Sequence, residues 1–314
     1  LSRGLGDVYK RQRISFKGCC KGASEPRVGK NPGSFYSYSM NEKFKVEITE
    51  KNLLQRAKGN LEISFVKAQG ETTLAKLYQS GSLRVLIPKS CSRSKEAIII
   101  NTGGGIIGGD KFSFSINSEK NTETWITTQA AEKIYKSTGD LSQVEIEINL
   151  GENASLFWCP QETILFDKSK LFRNMNISVK KSSNLFIVEN VVLGRLASGE
   201  FSKNCHFSDQ WRIKIDQKLA LAENFLLTGR EELCSKAKLG HNNTVCTMIY
   251  ASSNAERYLK PVREKISQSN VTGGASFWNK CLVARIVTQE PAQIRALTVS
   301  FLNLFSRQGE PIPR

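Results

Sequence analysis

The chain has 314 residues, of which 39% are hydrophobic, and a formal net charge of +16. This length can bury the core of one large domain or two ordinary ones, and no apolar run approaches the roughly 20 residues of a membrane helix, so we expect no membrane partner. Eight scattered cysteines without a Cys-x-x-Cys pair argue against a disulfide scaffold and favour a reducing, cytoplasmic location.

The positive charge is unevenly distributed. The first 39 residues hold eight Lys/Arg and two Asp/Glu, or +6, which leaves +10 on the rest of the chain. They lack apolar periodicity, so we predict a disordered or non-native tail at 1–39 and a single β domain at 40–314. A basic transit peptide is the alternative for the tail. A basic body favours acidic partners, with an acidic protein and nucleic acid both open at this point.

Alternating apolar residues predict a series of strands after the tail. They lie at 44–48, 61–65, 72–78 and 83–87, with a turn at 69–71. The next strand is predicted at 97–100, where three isoleucines lead into five glycines within 103–109. β-branched residues favour a buried strand, and the glycines allow positive φ and close backbone approach.

The glycine segment resembles two nucleotide-binding motifs but fits neither. Gly103-x-Gly105-x-x-Gly108 has the dinucleotide spacing, yet the fingerprint requires a helix next. Alternation at 111–116 predicts another strand there instead. A phosphate loop would need Lys and Ser/Thr where Asp110 and Lys111 stand. A tight connection between two strands is therefore favoured, and a nucleotide-binding enzyme using Gly103–Gly109 remains the alternative.

A weak internal repeat is the best clue to the fold. Residues 116–129, 148–161 and 177–190 each combine a strand, a polar turn and a second strand with a central aromatic residue, at offsets of 32 and 29 residues. Repeats at this period indicate stacked β units that share one core. We therefore predict a mainly β fold of the β-solenoid kind, with an ordinary antiparallel meander as the alternative.

The remaining patterns predict few helices. A short helix is expected at 128–138, a second at 254–268 that Pro261 bends or interrupts, and a third at 292–306 after Pro291. Further strands are expected at 211–215, 245–251 and 280–287, with 219–227 ambiguous and a turn at Gly273-Gly274.

Three polar segments, 127–137, 160–167 and 192–200, each follow one repeat unit. If the units stack, the segments lie at the same end of the strands. We therefore expect one region to collect eight polar side chains: Gln129, Glu132, Lys133, Gln161, Glu162, Asp167, Arg195 and Glu200.

Four ordered blocks, 101–110, 127–135, 160–167 and 192–200, resemble the signature of the urease accessory protein family UreD, called UreH in some bacteria. The resemblance covers residues 60 to about 306. Its motif residues are Gly103, Gly104, Gly105, Gly108, Gly109, Asp110, Gln129, Lys133, Tyr135, Gln161, Arg195 and Glu200.

The resemblance implies a mostly β scaffold with two helices, and no enzyme. Such a scaffold binds apo-urease and helps to insert nickel, together with UreF and the GTPase UreG. The resemblance thus implies protein partners rather than nucleic acid, and transient nickel rather than a tightly bound cofactor.

Weak, successive ligands suit the transfer of a divalent ion, because a closed four-ligand cage would trap it. Isolated carboxylates fit that role, and the candidates are Glu132, Glu162, Asp167 and Glu189. Each also has an ordinary structural interpretation as a solvated face, a turn cap or an acceptor of backbone N–H groups. Only two histidines are present, and the adjacent Cys205 and His206 should point to opposite faces of a strand, which disfavours a metal site there.

Overall fold

The computed structural model describes residues 55–89, 94–195, 198–200, 202–228 and 238–306. From Arg56 onward these residues belong to one compact unit. The predicted tail at 1–39, the strand predicted at 44–48 and the C-terminal loop from Gly309 lie outside the described residues.

Seven strands form the first sheet, called sheet A. In spatial order they are β14 (Lys218–Leu227), β13 (His206–Ile215), β11 (Lys170–Val179), β8 (Ser142–Leu150), β5 (Lys111–Ser118), β1 (Lys58–Ala68) and β2 (Glu71–Gly81). The five central strands run parallel to each other, and β2 and β14 are antiparallel edge strands. The ambiguous segment 219–227 is thus an edge strand.

The second sheet, sheet B, contains the other ten strands. Its main path is β16 (Thr272–Trp278), β17 (Cys281–Thr288), β15 (Thr244–Ala251), β12 (Asn184–Leu193), β9 (Ser155–Trp158), β6 (Glu123–Thr128), β4 (Lys95–Asn101) and β3 (Leu83–Leu86). Two short strands, β7 (Glu132–Ile134) and β10 (Thr163–Leu165), extend it beside β12.

The chain alternates between the two sheets, so that successive units stack as the coils of a β-solenoid. The predicted repeat has the observed register: Ile116 and Ile177 both pair with Ile148 in sheet A. In sheet B, Phe157 pairs with Trp125 and Phe186. The Trp125 and Phe157 rings stack with centroids 3.9 Å apart. The solenoid prediction is confirmed, and the antiparallel meander is excluded.

Two helices, as predicted for 254–268 and 292–306, are present, and they cover the outer face of sheet B. A 3₁₀ segment, Ala255–Tyr258, leads into α1 (Leu259–Gln268), and α2 spans Pro291–Phe305. Helix type changes at Leu259, so Pro261 falls in the first turn of α1, where its missing N–H breaks no hydrogen bond. The buried side of α2, including Phe301 and Phe305, packs against aromatic residues of sheet B. No helix in the described ranges is long and apolar enough to cross a membrane.

The helix predicted at 128–138 is wrong. This segment contains β7 and its flanking turns, because its backbone groups bond to neighbouring coils instead of to each other. The Glu132 N–H donates to the Glu162 carbonyl at 2.9 Å, and the Ile106 N–H donates to the Lys133 carbonyl at 2.8 Å. Ile134 is buried between the coils.

The turn predicted at Gly273-Gly274 is also wrong, because both glycines lie inside the edge strand β16. A Cβ on Gly273 would lie 2.7 Å from the Arg285 carbonyl oxygen of β17. The absence of a side chain at Gly273 therefore allows β16 and β17 to approach closely.

Candidate functional site

The four blocks that carry the family resemblance meet along one edge of the solenoid. Ile106 of the first block forms a bridge with Ile134 of the second. Strand β7 of the second block pairs with β10 of the third, and β10 pairs with β12, which ends in the fourth. We call the described residues of these blocks, 101–110, 127–135, 160–167, 192–195 and 198–200, the block edge. The prediction that stacking brings the three polar segments 127–137, 160–167 and 192–200 together is confirmed. The glycine block 101–110 lies at the same edge, where it was not predicted.

The glycine loop is held by side chains of the same edge. The Asn101 amide oxygen accepts the Gly103 N–H at 2.9 Å, and its nitrogen donates to the Gly105 carbonyl at 3.3 Å. The Tyr135 hydroxyl donates to the Gly104 carbonyl at 3.1 Å. Buried Asp110 accepts the N–H of Ile107 at 2.9 Å, so it closes the loop as a turn residue.

Two glycines are required because the loop lies directly on the next coil. A Cβ on Gly105, whose φ is +147°, would lie 2.4 Å from the Tyr135 ring and 2.6 Å from the Lys133 carbonyl. A Cβ on Gly108 would lie 2.1 Å from the Ser137 hydroxyl. Strand β5 follows the loop where a nucleotide fingerprint needs a helix, so the predicted strand-to-strand connection is confirmed.

Glu132 contacts the glycine loop through Asn101. Its carboxylate accepts a hydrogen bond from the Asn101 amide at 3.1 Å, so the side chain that caps the loop is itself positioned by Glu132. Withdrawal from solvent raises the pKa of the Glu132 carboxyl to about 7, with a smaller rise from nearby Asp110, against the lowering effect of Asn101. Glu132 can therefore change its protonation state near neutral pH.

The third block contacts helix α2. Arg295 donates to the Gln161 side-chain oxygen at 2.9 Å and to Glu162 at 3.1 Å. The Gln161 N–H donates to the Thr128 hydroxyl at 2.9 Å, so the segment that binds Arg295 is also bonded to β6. Helix α2, more than 120 residues downstream in sequence, thus takes part in the block edge.

The third and fourth blocks are joined by polar contacts. Asp167 accepts the backbone N–H groups of Lys203 and Asn204, both at 2.9 Å. The Asp167 N–H donates to Glu200 at 3.1 Å, and Glu200 is ion-paired with Arg195. The remaining polar members, Gln129 and Lys133, are exposed on the same edge.

Glu189 does not join these carboxylates. It lies inside the solenoid, where it accepts the Trp158 indole N–H at 2.8 Å and pairs with Arg173 at 2.7 Å. Arg173 also binds Asp209 through two nitrogens, at 2.5 and 2.9 Å. Burial raises the pKa of Glu189, and the positive charge of Arg173 opposes that rise.

Sequence reasoning missed Arg173 and Asp209, although a signal was present. In β11 and β13 the apolar residues occupy alternate positions, and Arg173 and Asp209 interrupt that inward-facing series. A charged residue at an inward position of a strand predicts a buried partner of opposite charge.

Cys205 and His206 lie on opposite faces of the chain, as predicted: Cys205 is buried and His206 is exposed. Among the described residues, no group of three or more His, Cys, Asp or Glu side chains is arranged to hold a metal ion.

Comparison with known proteins identifies a family and its relatives. The family model described as UreD urease accessory protein matches residues 57–314. A urease accessory protein UreD of Rhizobium johnstonii is 37% identical over 262 residues, which cover 83% of this chain and 95% of the relative. One from Mesorhizobium japonicum is 35% identical over 277 residues, covering 85% of this chain and 97% of the relative.

Proposed function

The chain belongs to the UreD family of urease accessory proteins, and from this premise we propose that it is a non-catalytic scaffold for urease maturation. In this proposal it acts with UreF and the GTPase UreG, binds apo-urease, and assists the insertion of nickel. The unpaired thiols of the four described cysteines agree with a reducing, cytoplasmic setting.

The observation that carries the proposal is the construction of the block edge. Four segments spread over residues 101–200 form one continuous edge through strand pairing and side-chain contacts. Most of their polar groups bind each other or the backbone, as in the Arg195–Glu200 pair, and so fix the shape of the edge. A rigid surface of defined shape suits a protein that positions partners.

Nickel is the cargo in this proposal, and isolated carboxylates can bind it weakly during transfer. Glu132, Glu162 and Asp167 lie on the block edge and are the first candidates. Glu189 would have to exchange its bonds to Arg173 and Trp158 for the metal, which makes it a costlier ligand.

A co-expression experiment tests the proposal. The full chain carries an affinity tag and is expressed with the matching UreF, UreG and urease subunits in medium containing nickel. We expect a complex to be recovered by the tag and urease activity to depend on the chain. Recovery of none of these partners, together with unchanged activity when the chain is omitted, would overturn the proposal.

The candidate ligands are tested in the same system. Glu162→Ala and Asp167→Ala should lower urease activity while the complex is still recovered. Glu145→Ala, at an exposed position on the outer face of sheet A, is the matched control and should leave activity unchanged. Equal activity in all three variants would remove Glu162 and Asp167 from the nickel path.

A further inference from the structure

Five exposed lysines and the half-buried Lys170 gather where the chain enters sheet A. Lys58 and Lys111 are paired in register at the first positions of β1 and β5. On the other side of β8, Lys170 is paired with His206 at the first positions of β11 and β13. Parallel strands lie about 4.8 Å apart, so these positions form a row along one border of the sheet.

The loops that lead into these strands add three more lysines. Lys136 forms a bridge with Ser169, and the Ser137 N–H donates to the Lys168 carbonyl at 2.9 Å. The Lys203 N–H donates to Asp167, and this hydrogen bond holds the loop before β13 beside Lys168. We call the resulting group the entry patch: Lys58, Lys111, Lys136, Lys168, Lys170 and Lys203.

Little negative charge offsets this patch. Two carboxylates lie beside the six lysines: Asp140, which is paired with Arg56 at 3.3 Å, and Asp167, whose hydrogen bonds from two backbone N–H groups neutralise no charge. Lys170 donates to the Gly139 carbonyl, which neutralises no charge. Within the described ranges, none of the six lysines lies within ion-pair distance of a carboxylate.

The opposite border of sheet A has a different balance. Its turns and the strand ends beside them carry five lysines and four carboxylates: Lys67, Lys120, Lys180, Lys181, Lys218, Glu71, Glu119, Glu152 and Asp216. The excess of positive charge is therefore a local property of the entry patch. Because clustered like charges oppose the compact state, an unbalanced patch indicates a surface that is neutralised by a partner.

We propose that the entry patch is a docking surface for an acidic segment of a partner protein in urease maturation. This inference rests on the proposed function. A complementary acidic segment would accelerate encounter and fix the orientation of the complex. The patch adjoins the block edge at Asp167, so a partner docked there would lie beside one of the candidate nickel carboxylates.

A protein segment fits the patch better than nucleic acid does. Asp140, whose side chain is 69% exposed, stands among the lysines. The backbone N–H groups of an acidic polypeptide can donate to this carboxylate, whereas a phosphate backbone offers only acceptors.

Binding of a fluorescein-labelled 20-residue polyglutamate peptide to the full chain tests the patch directly. The two variants compared reverse three exposed lysines each, on the patch and on the opposite border: Lys111→Glu/Lys136→Glu/Lys203→Glu and Lys120→Glu/Lys180→Glu/Lys218→Glu. At 50 mM salt we expect the patch variant to bind at least about tenfold more weakly and the control about twofold or less. Equal losses in the two variants would overturn the proposal.

Two further measurements keep the test decisive. If thermal unfolding shows that the patch variant does not fold, the corresponding lysine-to-glutamine variant replaces it with the same expectation. A 20-nucleotide single-stranded DNA serves as the competing probe at 150 mM salt. Tighter binding of DNA than of peptide, lost in the patch variant, would assign the patch to nucleic acid and overturn the proposal.

Failure of the patch and failure of the proposed function give different results. A folded patch variant that supports wild-type complex recovery and urease activity would exclude a role of the patch in maturation and leave the scaffold function intact. Failure of the unaltered chain to recover any partner would instead overturn the scaffold function.

Discussion

Replacing Arg173 with methionine should strongly destabilise the solenoid. The Arg173 side chain is 7% exposed, and those of Glu189 and Asp209 are 2% and 4% exposed. Removing the cation leaves two buried carboxylates that repel each other. The expected cost is about 3–5 kcal/mol, a large share of the roughly 5–15 kcal/mol that stabilises a typical domain.

Urea unfolding followed by circular dichroism measures this cost. With a denaturant dependence of about 3 kcal/mol per molar urea, the midpoint should fall by about 1 M or more at pH 7.5. Lys214→Met removes an exposed cation from β13 and should change stability by less than about 0.5 kcal/mol.

The pH dependence of the Arg173→Met variant provides a second check. Burial already raises the pKa of Glu189, and loss of the arginine should raise it further. A carboxyl with a raised pKa in the folded state stabilises at low pH and loses that contribution as pH rises through its folded pKa. The deficit should therefore grow from pH 5 to pH 8. A deficit below about 1 kcal/mol, or one that is independent of pH, would refute the reasoning.

Three further predictions concern the block edge and the stacked coils. Because the pKa of the Glu132 carboxyl is raised to about 7 in the folded state, this group contributes its full stabilisation below about pH 4.5 and loses it as pH rises through 7. Glu132→Gln should remove this pH dependence of the free energy of unfolding, measured by urea titration at pH 5 and pH 8. An unchanged difference between the two pH values would contradict the prediction. Gly105→Ala should cost about 2 kcal/mol or more and lower complex recovery, whereas Gly274→Ala, with no atom within 4 Å of its Cβ, should be tolerated. Trp125→Ala should cost about 3–5 kcal/mol in urea unfolding, whereas Trp278→Ala, at 67% exposure, should cost less than about 1; similar losses would argue against the stacked coils.

The stacked architecture could be predicted because it leaves a repeated pattern in the sequence. In each of the three repeat units, an isoleucine occupies one fixed position and an aromatic residue occupies another. Ile116, Ile148 and Ile177 therefore recur at nearly constant offsets. Their stacking also brings the polar segments to one edge. The repeat therefore contained enough information to place the segments 127–137, 160–167 and 192–200 together, whereas the position of the glycine block 101–110 beside them was not predicted.

The details of that edge could not be predicted, because they depend on contacts between coils. Segment 128–138 has an apolar spacing that suits a helix, but pairing with residues 106 and 162 makes it extended. The contact of Arg295 with Glu162 joins residues 133 positions apart and has no local signal.

The buried positions of Arg173 and Asp209 inside the solenoid could have been predicted, since each residue puts a charge at an inward-facing position of its strand.

The nickel content of urease depends on this chain if the chain assists nickel insertion. Urease is purified from cells that express its subunits, UreF and UreG with or without this chain, and nickel per active site is measured by mass spectrometry. We expect nickel-loaded urease with the chain and mostly apo-urease without it, with equal amounts of urease protein. Equal nickel content in the two preparations would show that the chain has no role in nickel insertion.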